Sequence, residues 1–250
     1  MELTILGSSG TWPGPGRATC GYLVSHEGAH LYLDAGSGTF ARLQEHIAPR
    51  DISAVIVSHG HPDHFVDIIM CFYARRYGGL GEPGLPLYSP GGFVDEVSML
   101  LSEDRVQVMQ TEFDFRTMKD GSTADVGPFR IRAFEMVHIG TNALGFRIDV
   151  GDVTLAYTGD AGPSENVIEL AHGADLFLCE ATYQDASTLY PFHMSARQAG
   201  EHATAAGVKK LLLTHIVPTL DTAVSIAEAK EVYAGPISVA DEGLTFEVGR

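Results

Sequence analysis

Between Ser58 and His64 the chain reads Ser-His-Gly-His-Pro-Asp-His, so His59, His61, Asp63 and His64 place four metal-binding side chains in six positions. The segment follows the apolar run Ile52 to Val57, which predicts a strand ending in a polar turn. Neutral imidazole nitrogens and a carboxylate oxygen suit divalent zinc, which takes both at about 2 Å. The spacing points to two ions. His59 and His61 can turn to one, while Asp63 and His64 lie past a Pro-initiated turn and can turn to a neighbour. A helix start with Pro62 in its first turn and Asp63 as a cap accounts for the Asp and for none of the three histidines.

Two ions need more donors than one turn supplies. His138 follows the run Ile131 to Val137, Asp160 follows Val153 to Thr158, and His215 follows Lys210 to Thr214. Each is polar at the tip of an apolar strand, and together they read as one edge of a sheet. The expected grouping is His59, His61 and His138 on one ion, with Asp63, His64 and His215 on the other and Asp160 bridging. Such ions would sit about 3.5–4 Å apart, each with an open side. Asp34 ends its own strand and is a candidate acceptor for the free ring N–H of a metal-bound His. Thr214 could orient His215 in the same way, although an alternating strand position is the simpler account of it.

These residues must be held by regular elements, and periodicity predicts them in two similar halves. Strands are predicted at 3–6, 21–24, 30–33 and 52–57, with helices at 40–47 and 65–77. A loop rich in glycine follows at 78–84, then a strand near Leu87, a helix over 92–101 and extended segments to Val150. The later half repeats the plan with strands at 153–157, 176–178 and 210–214 and helices at 164–172 and 195–206. A helix at 222–231 and strands at 237–240 and 244–248 complete it. Helices outside and strands inside predict an α/β fold, a four-layer αββα sandwich with the site on loops at one edge.

Composition fits a single domain over residues 1–250: 45% of the residues are hydrophobic, enough for a substantial core. No run of about 18 apolar residues reads as a membrane span, and the start reads as a strand, so a cytoplasmic location is expected. Cys20, Cys71 and Cys179 are widely spaced and read as buried, reduced thiols. The formal net charge of −16 repels polyanions unless basic residues share a face. No such concentration is visible. Arg75-Arg76 and Lys209-Lys210 read as solvated element ends, and Arg17, in a Gly- and Pro-rich loop, is a weak phosphate-binding candidate.

The order His-x-His-x-Asp-His, lone His, Asp, His resembles the dinuclear zinc set of the metallo-β-lactamase superfamily, matched at 59, 61, 63, 64, 138, 160 and 215. His61 stands where the diiron flavoprotein branch carries Glu, which favours zinc over iron. Asp160 stands where many true β-lactamases carry Cys, which argues against antibiotic hydrolysis. The segments Leu6 to Thr11, Leu33 to Gly36, Cys179 to Thr182 and His193-Met194-Ser195 are similar to the ribonuclease Z-like branch, whose members cleave phosphodiesters. That resemblance implies His193 as a general acid on a departing alkoxide, Glu180 as its orienting partner and Asp63 as holder of the hydroxide proton. The reaction implied is attack on phosphorus by a hydroxide bridging two Zn2+, with Mn2+ or Fe2+ as substitutes and no covalent intermediate.

Ribonuclease Z carries a long arm for tRNA between the lone His and the Asp. Here residues 139–159 suffice for one hairpin. The pattern is closest to compact bacterial cyclic-nucleotide phosphodiesterases, so a small phosphodiester of the 3′,5′-cAMP type is the expected substrate, without nucleic-acid or membrane partners. A ribonuclease Z-type tRNA 3′ endonuclease and a non-catalytic metal-binding or carrier protein of the same fold remain as alternatives. Whether the chain acts alone or as a homodimer stays open, as does any contact of Arg17, Arg75 or Arg76 with substrate phosphate.

Overall fold

The computed structural model describes residues 1–184 and 190–249. The first sheet holds β1 (Glu2–Gly7), β2 (Gly21–His26), β3 (Ala29–Ala35), β4 (Ala54–Ile56), β5 (Leu85–Pro90) and β6 (Phe113–Met118) side by side in chain order. The second holds β7 (Thr123–Val126), β8 (Phe129–Met136), β9 (Ala143–Val150), β10 (Val153–Tyr157), β11 (Leu176–Glu180), β12 (Leu211–Thr214) and β13 (Ile237–Val239), also in chain order. Finally β14 (Thr245–Glu247) returns to the first sheet and pairs antiparallel with β1. Each sheet opens as an antiparallel meander and continues as a parallel run, through β3 to β6 in one and β10 to β13 in the other.

Alternation along the strands builds three apolar layers. Leu31 and Leu33 point between the sheets while Tyr32 points outward, and Leu176 and Leu178 do the same against Phe177 and Cys179. Between the sheets, Ile5, Tyr22, Val24 and Ile56 meet Ile131, Phe146, Ile148 and Tyr157. Over the first sheet lie α1 (Thr39–Leu43), α2 (Pro62–Phe65), α3 (Asp67–Gly78), α4 (Phe93–Ser98) and α5 (Glu103–Glu112), which bury Phe40, Ile68, Phe72, Val97 and Met109 against it. Over the second, α6 (Glu165–Ala171), α7 (Ala196–Ala206) and α8 (Thr222–Lys230) bury Val167, Leu170, Ala199, Ala203 and Ala229. The result is the four-layer αββα sandwich expected. Among the described residues no helix is long and apolar enough to cross a membrane.

Three local expectations change. Residues 103–112, expected to be extended, form α5; Val106 and Val108 mimic a period of two, but only the helical spacing of Val106, Met109 and Glu112 is buried. The helix expected over 65–77 is broken at Val66 into α2 and α3, because the metal-binding turn itself forms the short first helix. Arg75, expected to be solvated, is 4% exposed, and its guanidinium donates to the Glu82 carbonyl oxygen. The three cysteines are free and buried.

The layer between the sheets sets the stability of the frame. Phe146 is fully buried there, so Phe146→Ala should cost about 3–5 kcal/mol in urea unfolding.

Candidate metal centre

Every residue of the expected set leaves the carboxyl end of a strand, and those ends share one edge. β3 and β4 run parallel, as do β10, β11 and β12, and β8 runs in the same sense through the antiparallel β9. Asp34 ends β3, the turn with His59 to His64 follows β4, and His138, Asp160 and His215 follow β8, β10 and β12. Thr11, Asp34 and His215 hold left-handed φ of 64°, 53° and 56°. Such backbone costs roughly 1–3 kcal/mol per residue and persists where surrounding structure enforces it.

Two pockets result. His59, His61, His138 and Asp160 bring ligand atoms within 4.8 Å of one another, and so do Asp63, His64, Asp160 and His215. In the first, His61 Nδ1 lies 3.1 Å from His59 Nε2 and 3.0 Å from His138 Nε2. In the second, His215 Nε2 lies 3.3 Å from Asp63 Oδ2. Asp160 belongs to both: Oδ2 stands 3.7 and 3.8 Å from His59 and His138, while Oδ1 stands 3.1 and 3.3 Å from His64 and His215.

The charges fit cations. Burial, with His64 beside it, holds His59 well below the ordinary imidazole range, and burial lowers His61 and His138 as well. Their nitrogens are therefore neutral donors. Burial pushes His64 the same way, but Asp160, Asp63 and Asp34 outweigh it and hold it well above. Burial would raise Asp160, yet His215 and His64 keep it well below the carboxylate range. His64 Nε2 and Asp160 Oδ1 are buried 3.1 Å apart, and beyond that contact neither has a polar partner at hydrogen-bond geometry among the described residues. The imidazoles of the first pocket and the carboxylate shared by both suit divalent ions, and an ion in the second pocket would displace the proton that the carboxylates hold on His64.

The outward nitrogens are held as well. His64 Nδ1 lies 2.8 Å from Asp34 Oδ2, as expected of Asp34. His59 Nδ1 lies 3.0 Å from Ser58 Oγ and His138 Nδ1 3.0 Å from the Phe192 carbonyl oxygen. The expectation for Thr214 is corrected: its hydroxyl bonds Tyr22 at 2.6 Å, because its side chain points between the sheets. The hydroxyl at His215 Nδ1 is instead that of Thr182, at 2.8 Å. That residue follows Glu180 in the segment Cys179 to Thr182, a signal that was available. Ser58 and Tyr157 were not singled out, because only the folded chain brings them to Asp34.

His193 and Glu180 come together beside the pockets. His193 Nδ1 lies 2.9 Å from Glu180 Oε1, and its ring stacks on His215 at 5.6 Å. Glu180 also accepts from Ala161 N, Met194 N and the Thr182 hydroxyl, so it is rigid. Burial lowers the His193 pKa, but Glu180 and then Asp160 outweigh it and push it up to about 9. Ser195 caps α7 in a capping box with Gln198, which fixes the chain just after His193. Arg17 is drawn to Asp241 and Glu242, at 2.9 and 3.5 Å, which leaves its charge neutralised.

A family profile described as Beta-lactamase superfamily domain matches residues 29–216. The chain belongs to the metallo-β-lactamase superfamily. Within it, a protein of Mycobacterium tuberculosis (strain ATCC 25618 / H37Rv) that carries no functional name is 35% identical over 258 residues, covering 100% of this chain and 93% of that one. The probable metallo-hydrolase YhfI of Bacillus subtilis (strain 168) is 30% identical over 252 residues, 99% of this chain and 100% of YhfI. Its crystal structure superposes with a TM-score of 0.87 at 28% identity, covering 98% of each chain. Ribonuclease Z of Methanothermobacter thermautotrophicus is 26% identical over 299 residues, 99% of this chain and 97% of that enzyme. The superfamily membership makes this chain a metallo-hydrolase, and its fold implies divalent metal binding.

If Thr182 rather than Thr214 orients His215, Thr182→Val should weaken metal retention roughly 10–100-fold in chelator competition. Thr214→Val should retain metal as the parent protein does, and the reverse ranking would restore Thr214 to that role.

Proposed function

We propose that the protein is a dinuclear zinc phosphodiesterase acting on small cyclic nucleotides of the 3′,5′-cAMP type. The observation that carries this reading is the placement of Asp160, whose two oxygens face two different histidine pockets. His59, His61 and His138 would hold one ion, Asp63, His64 and His215 the other, with Asp160 between them. Two divalent ions there would supply a water ionising near pH 7 and neutralise charge on the phosphoryl oxygens.

The remaining steps fall to the chain. Asp63 Oδ2 is fixed by the Thr11 backbone N–H at 3.0 Å, which leaves the carboxylate oriented to take the proton of the attacking water. His193 binds Glu180 and Thr182 through Nδ1, so Nε2 is the nitrogen turned to substrate. It donates a proton to the departing ester oxygen as the P–O bond breaks. Glu180 keeps the ring in that tautomer and stabilises its charged form.

The segment between His138 and Asp160 bears on substrate size. It contains β9, β10 and the tight turn joining them, with no protruding arm to grip tRNA. The net charge of −16 and the neutralised Arg17 point the same way. The competing reading is a tRNA 3′ endonuclease, favoured by the full-length similarity to an enzyme named ribonuclease Z.

Metal-loaded protein offered cyclic mononucleotides and pre-tRNA should open the former and leave the latter untrimmed. Efficient 3′ trimming with cyclic nucleotides ignored would reverse the assignment. His193→Ala should keep both ions and lower kcat by roughly 10²–10⁴-fold on esters with an alkoxide leaving group. On a nitrophenolate ester, whose leaving group needs little protonation, the loss should be far smaller. An equal loss on both, carried by KM alone, would make His193 a binding residue.

A further inference from the structure

The outer nitrogens of the clustered imidazoles are held by the protein with one exception. His59, His64, His138 and His215 enter their pockets through Nε2 and rest Nδ1 on Ser58, Asp34, Phe192 and Thr182. His61 enters through Nδ1, and its Nε2 has no hydrogen bond among the described residues. Beside it stands a carboxylate from a different element. Glu96, on α4, accepts a 2.6 Å hydrogen bond from the Thr141 hydroxyl at Oε1. Its Oε2 is buried with no hydrogen-bond partner among the described residues.

Oε2 lies against Gly60, between His59 and His61. A Cβ built on Gly60 would fall 1.5 Å from Oε2 and 2.0 Å from the carboxyl carbon. A side chain at position 60 would have to displace that carboxylate. The charge of Glu96 is also felt at His61, where burial lowers the pKa and Asp160, Asp63, His64 and Glu96 act on it in turn. Through Thr141 the same carboxylate grips the loop that follows His138, and Asn142 fastens that loop to the Gly91 carbonyl oxygen just before α4. Glu96 therefore touches both chain segments that supply histidines to the first pocket.

We propose that Glu96 is a positioning residue for the first pocket, its carboxylate on Gly60 holding the His59–His61 turn against the His138 loop and setting how tightly that pocket retains its ion. The assignment rests on the reading of the two clusters as metal sites. The contacts of Glu96 reach the first pocket and not the second, whose imidazoles lean on Asp34 and Thr182, while Asp160 and the Ser58–Asp34 bond are common to both. An unpaired buried carboxylate oxygen costs free energy, and it is offset when a cation occupies the neighbouring pocket.

The test is a chelator challenge of the metal-loaded full chain, reading ions retained per chain and, with Co2+, the ligand-field spectrum of each site. Glu96→Gln keeps the shape and removes the charge. It should release one ion at roughly 10–100-fold lower chelator concentration and move the second release by much less. Thr141→Val should shift the same phase by less. Gly60→Ala, with Glu96 displaced, should reproduce the Glu96→Gln shift, and adding Glu96→Ala to it should relieve the clash without restoring retention. Coincidence of the Glu96→Gln and parent curves would overturn the proposal, as would an equal shift of both phases. A parent protein that retains no ions would instead overturn the metal reading on which it rests.

Discussion

One buried carboxylate carries the rest of the centre. Asp34 is fully buried and accepts four contacts: Ser58 N and Ser58 Oγ at 2.7 Å, the Tyr157 hydroxyl at 2.6 Å and His64 Nδ1 at 2.8 Å. Those donors come from the turn after β4, from β10 of the opposite sheet and from the second pocket. A charge in a medium of low dielectric is tolerable only when its lone pairs are met, and here they are met by groups that must lie where the fold puts them. The strained φ of 53° at Asp34 is the local cost of aiming it. Removing one partner of such an arrangement typically costs about 3–5 kcal/mol, so the register of the two sheets and the position of the ligand turn are coupled through it.

Around this hub the electrostatics are one-sided. Asp34, Asp63 and Asp160 converge on His64, and two of the basic residues considered for phosphate contact are already engaged, Arg17 with Asp241 and Glu242 and Arg75 with a backbone carbonyl. A field of this sign concentrates cations and repels anions. On the proposed function, an anionic substrate would have to be attracted by ions held in the two pockets, so its affinity would depend on their occupancy.

Much of this was legible in the chain. The seven clustered donors stand out because four crowd the turn after β4 and the other three are polar residues at the tips of apolar strands, and strand tips in parallel runs fall on one edge. The sandwich was legible for the same reason, since period-two and period-3.6 stretches alternate. What was hidden depends on side-chain direction. Thr214 and Thr182 are equally good acceptors by composition, and only the pleat of β12 sends Thr214 toward Tyr22. Residues 103–112 carry valines at alternate positions, so their helix was masked. Glu96 gave no signal, because its meaning depends on a glycine in another segment.

The ligands come from both halves of the chain: the turn at 59–64 belongs to the first sheet, while His138, Asp160 and His215 belong to the second. During synthesis the first sheet can gather its early strands while the other half of the donor set does not yet exist. A nascent chain thus presents an incomplete donor set, and the set is whole only when β12 has paired. β14 adds to the delay, since it closes the first sheet from the far end of the sequence. Such long-range pairings make assembly slow relative to local helices. If the two clusters hold metal, its capture would come late in assembly, after both sheets have formed and faced each other.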